Sequence, residues 1–249
     1  MTTLISGASG AIGSAVTRQL AAAGERVLLT GRNGGRLEAL ALETGMPFHA
    51  ADLTVESEVS ALTAWAEHHG PVDALVHCVG STVVRPLHLT SLADWQAQFQ
   101  TNTTSAFQLL KWLIASALKA QRPARAVLVS SVVAEAGFAN HEAISAAKAG
   151  VTALALSAAA SYADRGIRVN VVAPGLTRSN LTARFIATTE AEARSAALIP
   201  SGRINEPSDV AAAIVFLLSP SAGQINGQVV RVDGGQAVLR PVPRPQPRP

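Results

Sequence analysis

Cysteine, aromatic residues and charge are all scarce in this sequence. Cys78 is its single cysteine, so no disulfide can form within the chain and a cysteine-rich metal site cannot exist. A reducing, cytoplasmic compartment is expected. Aromatic residues make up 4%, and no basic stripe is interleaved with them, so nothing is suited to stack on bases and no nucleic-acid partner is expected. The longest unbroken apolar run, which contains Ala211 to Leu218, is far short of the roughly 20 residues that a membrane helix needs. Met1-Thr2-Thr3 leads directly into an apolar strand, without the basic segment, apolar core and cleavage site of a secretory signal. A soluble protein with no membrane partner is expected. No two of the histidines at 49, 68, 69, 77 and 88 lie four residues apart, as a helical metal-ligating pair would, so no metal centre is expected.

Only 15% of residues are charged while 48% are hydrophobic, which is the balance of a globular chain with a large core. The formal charge of +3 belongs to the end of the chain. Arg240, Arg244 and Arg248 fall in the last ten residues with no acid, and without them the chain carries 17 basic and 17 acidic residues. The same segment, "RPVPRPQPRP", has proline at every second position, so residues 240–249 are expected to be a disordered tail with no assigned function.

Apolar runs of strand length alternate with stretches of helical period. The strands are expected at Thr3–Ser6, Arg26–Thr30, Pro47–Ala51, Ala74–Cys78, Ala126–Ser131, Ile167–Ala173 and Gln228–Asp233. Helical stretches include Ala11–Ala23, Glu56–His69, Ala93–Lys119, Glu142–Asp164 and Pro207–Leu218. This order predicts one domain over residues 1–239, an α/β fold of Rossmann type: a doubly wound, parallel, seven-stranded sheet in three α/β/α layers.

The first strand leads into "SGASGAIG", Ser6 to Gly13, and then into a helix. Strand, glycine-rich turn and helix N-terminus make an anion site, where unpaired N–H groups and the positive end of the helix dipole face a pyrophosphate. Gly7, Ser9, Gly10, Ala11, Ile12 and Gly13 are the candidate cofactor contacts. The spacing resembles the TGxxxGxG loop of the short-chain dehydrogenase/reductase family, with Ser6 for Thr and Ala11 for the middle Gly. The second strand ends "LLTGRN", where an NAD enzyme would place an acid against the ribose 2′-OH. Arg32 stands there instead and can pair with a 2′-phosphate, which favours NADP(H) as cofactor.

The resemblance continues to about residue 238. "ADLT" is similar to the family's Asp-Leu or Asp-Val pair beside the adenine, which makes Asp52 and Leu53 candidate contacts, although Asp52 could equally cap the next helix. "ALVHCVG" aligns with a strand ending Asn-Asn-Ala-Gly, but keeps only Gly80. Cys78 and Val79 are expected to line the cofactor with their backbone. Asn102 in "FQTNTTSAF" is placed like the family's active-site asparagine, which holds a water for proton relay. "VAPGLTRSNL" resembles the Pro-Gly turn over the nicotinamide, implicating Pro174, Gly175 and Ser179. The following segment, Leu176 to Pro200, is expected to form the lid over the substrate.

"ANHEAISAAKAG", Ala139 to Gly150, departs from the pattern at its centre. In the family a serine and a tyrosine touch the substrate oxygen, and a lysine four residues after the tyrosine holds the nicotinamide ribose. Ser131 and Lys148 match the serine and the lysine, but position 144 is isoleucine, which can neither donate nor accept a proton. The chain's one tyrosine, Tyr162, lies fourteen residues after Lys148, roughly 21 Å along a helix. His141, seven residues before Lys148, returns to within about 20° of the same helix face and is the nearest ionisable alternative.

The resemblance therefore implies an NADP(H)-dependent oxidoreductase reducing a small carbonyl or conjugated enone. Ser131, Lys148, Asn102 and His141 are its candidate catalytic groups. Two alternatives use the same pocket: a catalytically impaired nucleotide-binding or regulatory protein, and a lyase or isomerase without net redox change. The helix from Glu142 is small or apolar around most of its circumference. It must be covered on both sides, and with the family resemblance this predicts a homodimer or homotetramer.

Overall fold

In this computed structural model the described residues are 1–240. The expected tail otherwise lies at 241–249, outside them. Seven strands form one sheet: β1 (Thr2–Ser6), β2 (Arg26–Gly31), β3 (Phe48–Ala50), β4 (Ala74–His77), β5 (Ala124–Val129), β6 (Ile167–Pro174) and β7 (Val229–Val232). Every pairing is parallel and the spatial order is β3-β2-β1-β4-β5-β6-β7. The order reverses between β1 and β4. A crevice opens there at the carboxyl ends of the strands, the position where open α/β sheets bind ligands.

Each strand has side chains pointing alternately to the two faces. Leu4, Leu28, Leu75, Leu128 and Val171 enter one core, with residues of α3 (Glu56–His68), α5 (Ser105–Lys119) and α6 (Glu142–Tyr162). Their neighbours Ile5, Leu29, Val76, Val129 and Val172 enter the other, with α1 (Ala11–Ala22), α2 (Gly34–Thr44) and α8 (Pro207–Leu218). Burial on both faces explains why the central strands β1, β2, β4, β5 and β6 read as largely apolar runs, whereas the edge strands β3 and β7 are partly exposed. With the turn that follows it, α6 spans Glu142–Arg165 and has the length and composition to cross a bilayer. Here Val151, Ala155 and Ala159 pack it into the core.

One expected helix is broken. The stretch read as continuous from Ala93 to Lys119 is α4 (Leu92–Phe99), a π turn at Gln100–Thr104, and α5. The turn contains no glycine or proline. Side chains hold it open instead: the Asn102 amide donates to the Gln98 carbonyl at 2.9 Å, the Ser105 hydroxyl to the Thr101 carbonyl at 2.6 Å, and the Thr103 hydroxyl to the Ala147 carbonyl at 2.7 Å. The Ser105 N–H reaches back to the Gln100 carbonyl, five residues away. Such bulges gather at functional sites. Two helices absent from the sequence expectation are α2 and α7 (Thr189–Ala197).

Candidate active site

Gly7 ends β1 with φ +69°, a conformation that glycine adopts without steric cost. A Cβ there would come within 2.9 Å of the Cys78 backbone, and a Cβ on Gly13 within 2.3 Å of the Gly7 carbonyl oxygen. The glycines therefore let α1 start directly beneath the turn. Gly10, the N-cap of α1, offers no side-chain cap, and the first turn of the helix carries no acid. Its free N–H groups suit an anion. They open on a cleft of about 1200 Å³ lined by Ser9, Ala11, Ile12 and, across it, Arg32 and Arg36. A phosphate-bearing ligand fits this donor set.

Arg36 was not singled out by the sequence pattern, nor was the Arg18–Glu43 pair (2.6 Å) on the cleft wall. Three expected contacts, Asp52, Leu53 and Val79, are not among the residues that line this cleft. The Asp52 carboxylate accepts from the Thr54 N–H at 2.9 Å and the Thr54 hydroxyl at 2.7 Å. It does not cap α3, whose N-cap is Val55. Burial pushes its pKa up, but those bonds and the Arg32 charge outweigh it and hold the group below the usual range. Leu53 is buried in the core, and Val79 packs against that core.

Beneath the crevice lies a polar chain that the sequence did not reveal. His77 is fully buried at the end of β4, with Nδ1 2.8 Å from the Ser6 hydroxyl and Nε2 3.1 Å from the Ser105 hydroxyl. The Thr101 carbonyl can only accept, so the Ser105 hydroxyl donates to it and accepts from His77 Nε2–H. Nδ1 then accepts from Ser6. One ordered chain of hydrogen bonds thus joins the residue before Gly7 to the π turn. Burial, with the Lys148 charge adding to it, pushes the imidazole pKa down to about 3 and keeps it neutral.

The π turn sets Asn102 beside Gly80. A Cβ on Gly80 would meet the Asn102 Oδ1 at 3.0 Å and Lys148 Nζ at 3.2 Å, so any larger residue would press on both side chains. The Asn102 amide is committed to Gln98 and, at 3.4 Å, to the Ser81 carbonyl, and is fully buried. Lys148, on α6, is 7% exposed and donates to the Val129 carbonyl at 2.8 Å. Burial pulls its pKa down to about 8, and pushes that of the Cys78 thiol up to about 12.

Lys148, Ser131, His141 and Ile144 converge on a pocket of about 330 Å³ that shares Cys78, Gly80 and Ser179 with the cleft. Ser131 follows β5 and its hydroxyl lies 3.5 Å from the Pro174 carbonyl. Asn140 adopts φ +64°, a left-handed conformation that asparagine tolerates, and turns the chain into α6. His141 follows as N-cap, but its side chain does not cap the helix. Its Nδ1 donates to the Ala139 carbonyl at 2.7 Å, leaving Nε2 free. Ile144, one turn on, is 4% exposed. Tyr162 ends α6 and packs against the core rather than the pocket.

The pocket's outer wall is the segment after β6. Gly175 is pressed against the turn after β7, where a Cβ would meet the Asp233 Cβ at 2.9 Å. Leu176, Leu181, Phe185 and Leu198 close the wall. Arg178 clasps it to the body, donating to Glu192 at 2.7 Å and to Glu206 at 3.1 Å, bonds that raise its pKa. Among the described residues no cluster of three or more His, Cys, Asp or Glu side chains is placed to hold a metal ion.

Comparison with known proteins agrees with this architecture. The family described as enoyl-(acyl carrier protein) reductase matches residues 7–237. The 3-oxoacyl-(acyl-carrier-protein) reductase FabG of Aquifex aeolicus is 34% identical over 239 residues, covering 93% of this chain and 95% of the relative. A Xanthobacter autotrophicus protein named inactive 2-(S)-hydroxypropyl-CoM dehydrogenase 2 is 36% identical over 231 residues, covering 90% of this chain and all (100%) of the relative. The crystal structure of a tryptophan variant of the actinorhodin polyketide ketoreductase with NADPH superposes with a TM-score of 0.89 at 27% identity, covering 96% of this chain and 97% of that one. Because the likeness runs unbroken from the phosphate loop to the turn beyond the last strand, this chain belongs to the short-chain dehydrogenase/reductase family of oxidoreductases.

Proposed function

We propose that the chain is an NADP(H)-dependent reductase of a ketone or conjugated enone, working with a proton donor other than tyrosine. The observation that carries this reading is the convergence of Lys148 and Ser131 on one apolar pocket that opens into the glycine-loop cleft. A mere scaffold needs neither a buried amine nor a hydroxyl there. The FabG relatives and the ketoreductase with NADPH support both the reaction class and the coenzyme.

When bound, the coenzyme supplies the hydride. The N–H groups at the start of α1 bind its pyrophosphate, and Arg32 with Arg36 pairs the 2′-phosphate. Lys148 has two N–H donors beyond the one given to Val129, and these orient the nicotinamide ribose. Ser131 donates to the substrate oxygen. His141 Nε2, protonated, delivers the proton directly or through water, while Nδ1–H stays anchored on Ala139. Asn102 serves this site by position, its amide holding the π turn and Ser81. The apolar walls exclude bulk water.

The test is incubation with NADPH and a panel of ketones, quinones and enones. Sustained NADPH oxidation is expected, with kcat falling about a hundredfold in His141→Ala. An unchanged rate in that variant removes His141 from the mechanism. The second reading is a nucleotide-binding protein without turnover. Ile144 at the centre of the pocket favours it, as does the inactive Xanthobacter relative. Tight NADPH binding with no oxidation on any acceptor would establish it.

A further inference from the structure

We infer that the pocket beside Ile144 selects a compact, uncharged, largely apolar ketone and rejects substrates that carry a carboxylate or an acidic carrier. This rests on the reductase reading and names its substrate class. The walls are hydrocarbon, from Val132, Val133, Phe138, Ile144, Leu181 and Leu198. Neutral polar residues also line it, among them Thr82, Ser131, Ser179, Thr182, Ser195 and Gln236, which suit one or two neutral oxygens. No carboxylate and no guanidinium lines it among the described residues.

Its ionisable groups are Cys78, His141 and Lys148, and none is a spare counter-charge. The thiol is kept neutral by burial. In the reductase reading His141 Nε2 serves the ketone oxygen and the two free Lys148 N–H groups serve the coenzyme ribose, so neither is left over for a second, charged substrate group. Three guanidinium groups on bordering segments are neutralised, Arg85 by Asp94, Arg178 by Glu192 and Glu206, and Arg231 by Glu135, while Arg194, beside Ser195, is exposed and does not line the pocket. Arg184 is exposed and lies 4.7 Å over the Phe185 ring, outside the pocket. A carboxylate entering here would lose its hydration without a fixed partner, a cost that apolar contacts do not offset.

Size points the same way. A volume of about 330 Å³ is near the lower limit for ligand pockets. The inner end, at Ile12, Cys78 and Gly80, is shared with the coenzyme cleft, so the space left for substrate is smaller still.

The experiment compares neutral ligands with charged counterparts: 2-tetralone against its ring carboxylate, a pair that differs in little but charge, and an acetoacetyl thioester of N-acetylcysteamine against the same group on acyl carrier protein, a pair that differs in size as well. Binding is measured by calorimetry with and without NADP+, and turnover separately with NADPH. The neutral member of each pair is expected to bind at least tenfold more tightly. Leu198→Arg, which sets a cation at the rim without touching the reacting groups, is expected to erase that preference. Equal or tighter binding of the charged members, or no binding by any neutral ketone, overturns the inference. Charge-selective binding without NADPH oxidation leaves the inference standing and removes the reductase reading instead.

Discussion

Replacing Lys148 by methionine gives a prediction whose sign changes with pH. Burial lowers the amine's pKa from 10.5 to about 8. At about 1.4 kcal/mol per unit, holding the charge in the folded chain costs about 3 kcal/mol. The folded state binds this proton less tightly than the unfolded state. The penalty is therefore whole below about pH 8, and fades as pH rises towards 10.5, where the unfolded lysine deprotonates as well. Lys148→Met removes the penalty but strands the Val129 carbonyl, at about 1–3 kcal/mol. Near pH 7 the two effects should almost cancel, leaving the variant as stable as the parent or slightly more so. Near pH 10.5 only the stranded carbonyl remains, so the parent should win. The checkable quantity is the difference in unfolding free energy between the two chains, from urea titrations across this range. It should change by about 3 kcal/mol in the parent's favour. A difference that stays flat would mean that the amine meets water in the folded chain and is not held for a ribose.

His77→Gln tests the buried chain from the acid side. The imidazole stays neutral down to about pH 3 when folded but charges near 6.5 when unfolded, so stability should fall as pH drops through that window. Glutamine can bond both serines without titrating and should remove about 3 kcal/mol of the loss between pH 6.5 and 4 in acid unfolding curves; an unaltered acid limb refutes the assignment. Ile144→Tyr should raise ketone reduction about 10²-fold or more in NADPH assays. A fall in rate would show that the shape of Ile144 is itself required. Sedimentation at micromolar concentration should give a dimer or tetramer, because Phe107 on α5 and Leu156 on α6 are left exposed beside the small-residue surface of α6; a monomer refutes this.

The sheet was legible because both faces of its central strands are buried, so these had to be largely apolar runs, with glycine or polar residues in the turns between. The phosphate loop was legible because close backbone approach leaves glycine little alternative at positions 7 and 13. What escaped was held by contacts distant in sequence. Ser6, His77 and Ser105 look like three unrelated polar residues until β1, β4 and α5 meet. The π turn escaped because Asn102, Thr103 and Ser105 are unremarkable in a helix until their side chains take backbone carbonyls. Asp52 shows the limit of a motif: it offered a ligand contact or a helix cap, and the cap is excluded because Thr54, two residues on, takes the carboxylate and Val55 is the N-cap of α3.

The wide turn at Gln100–Thr104 makes the placement of Asn102 a matter of counting. Each residue in a helix rotates the chain by about 100°. Losing Thr103 or Thr104 would let α4 and α5 fuse into a more regular rod, yet would swing everything before the deletion about a quarter of the way round. Asn102 could then no longer sit under Gly80 while Leu109 and Leu113 kept their seats against the sheet. Length in this segment is therefore as constrained as amino-acid identity, and a neutral-looking shortening here would uncouple the helix from the crevice it serves.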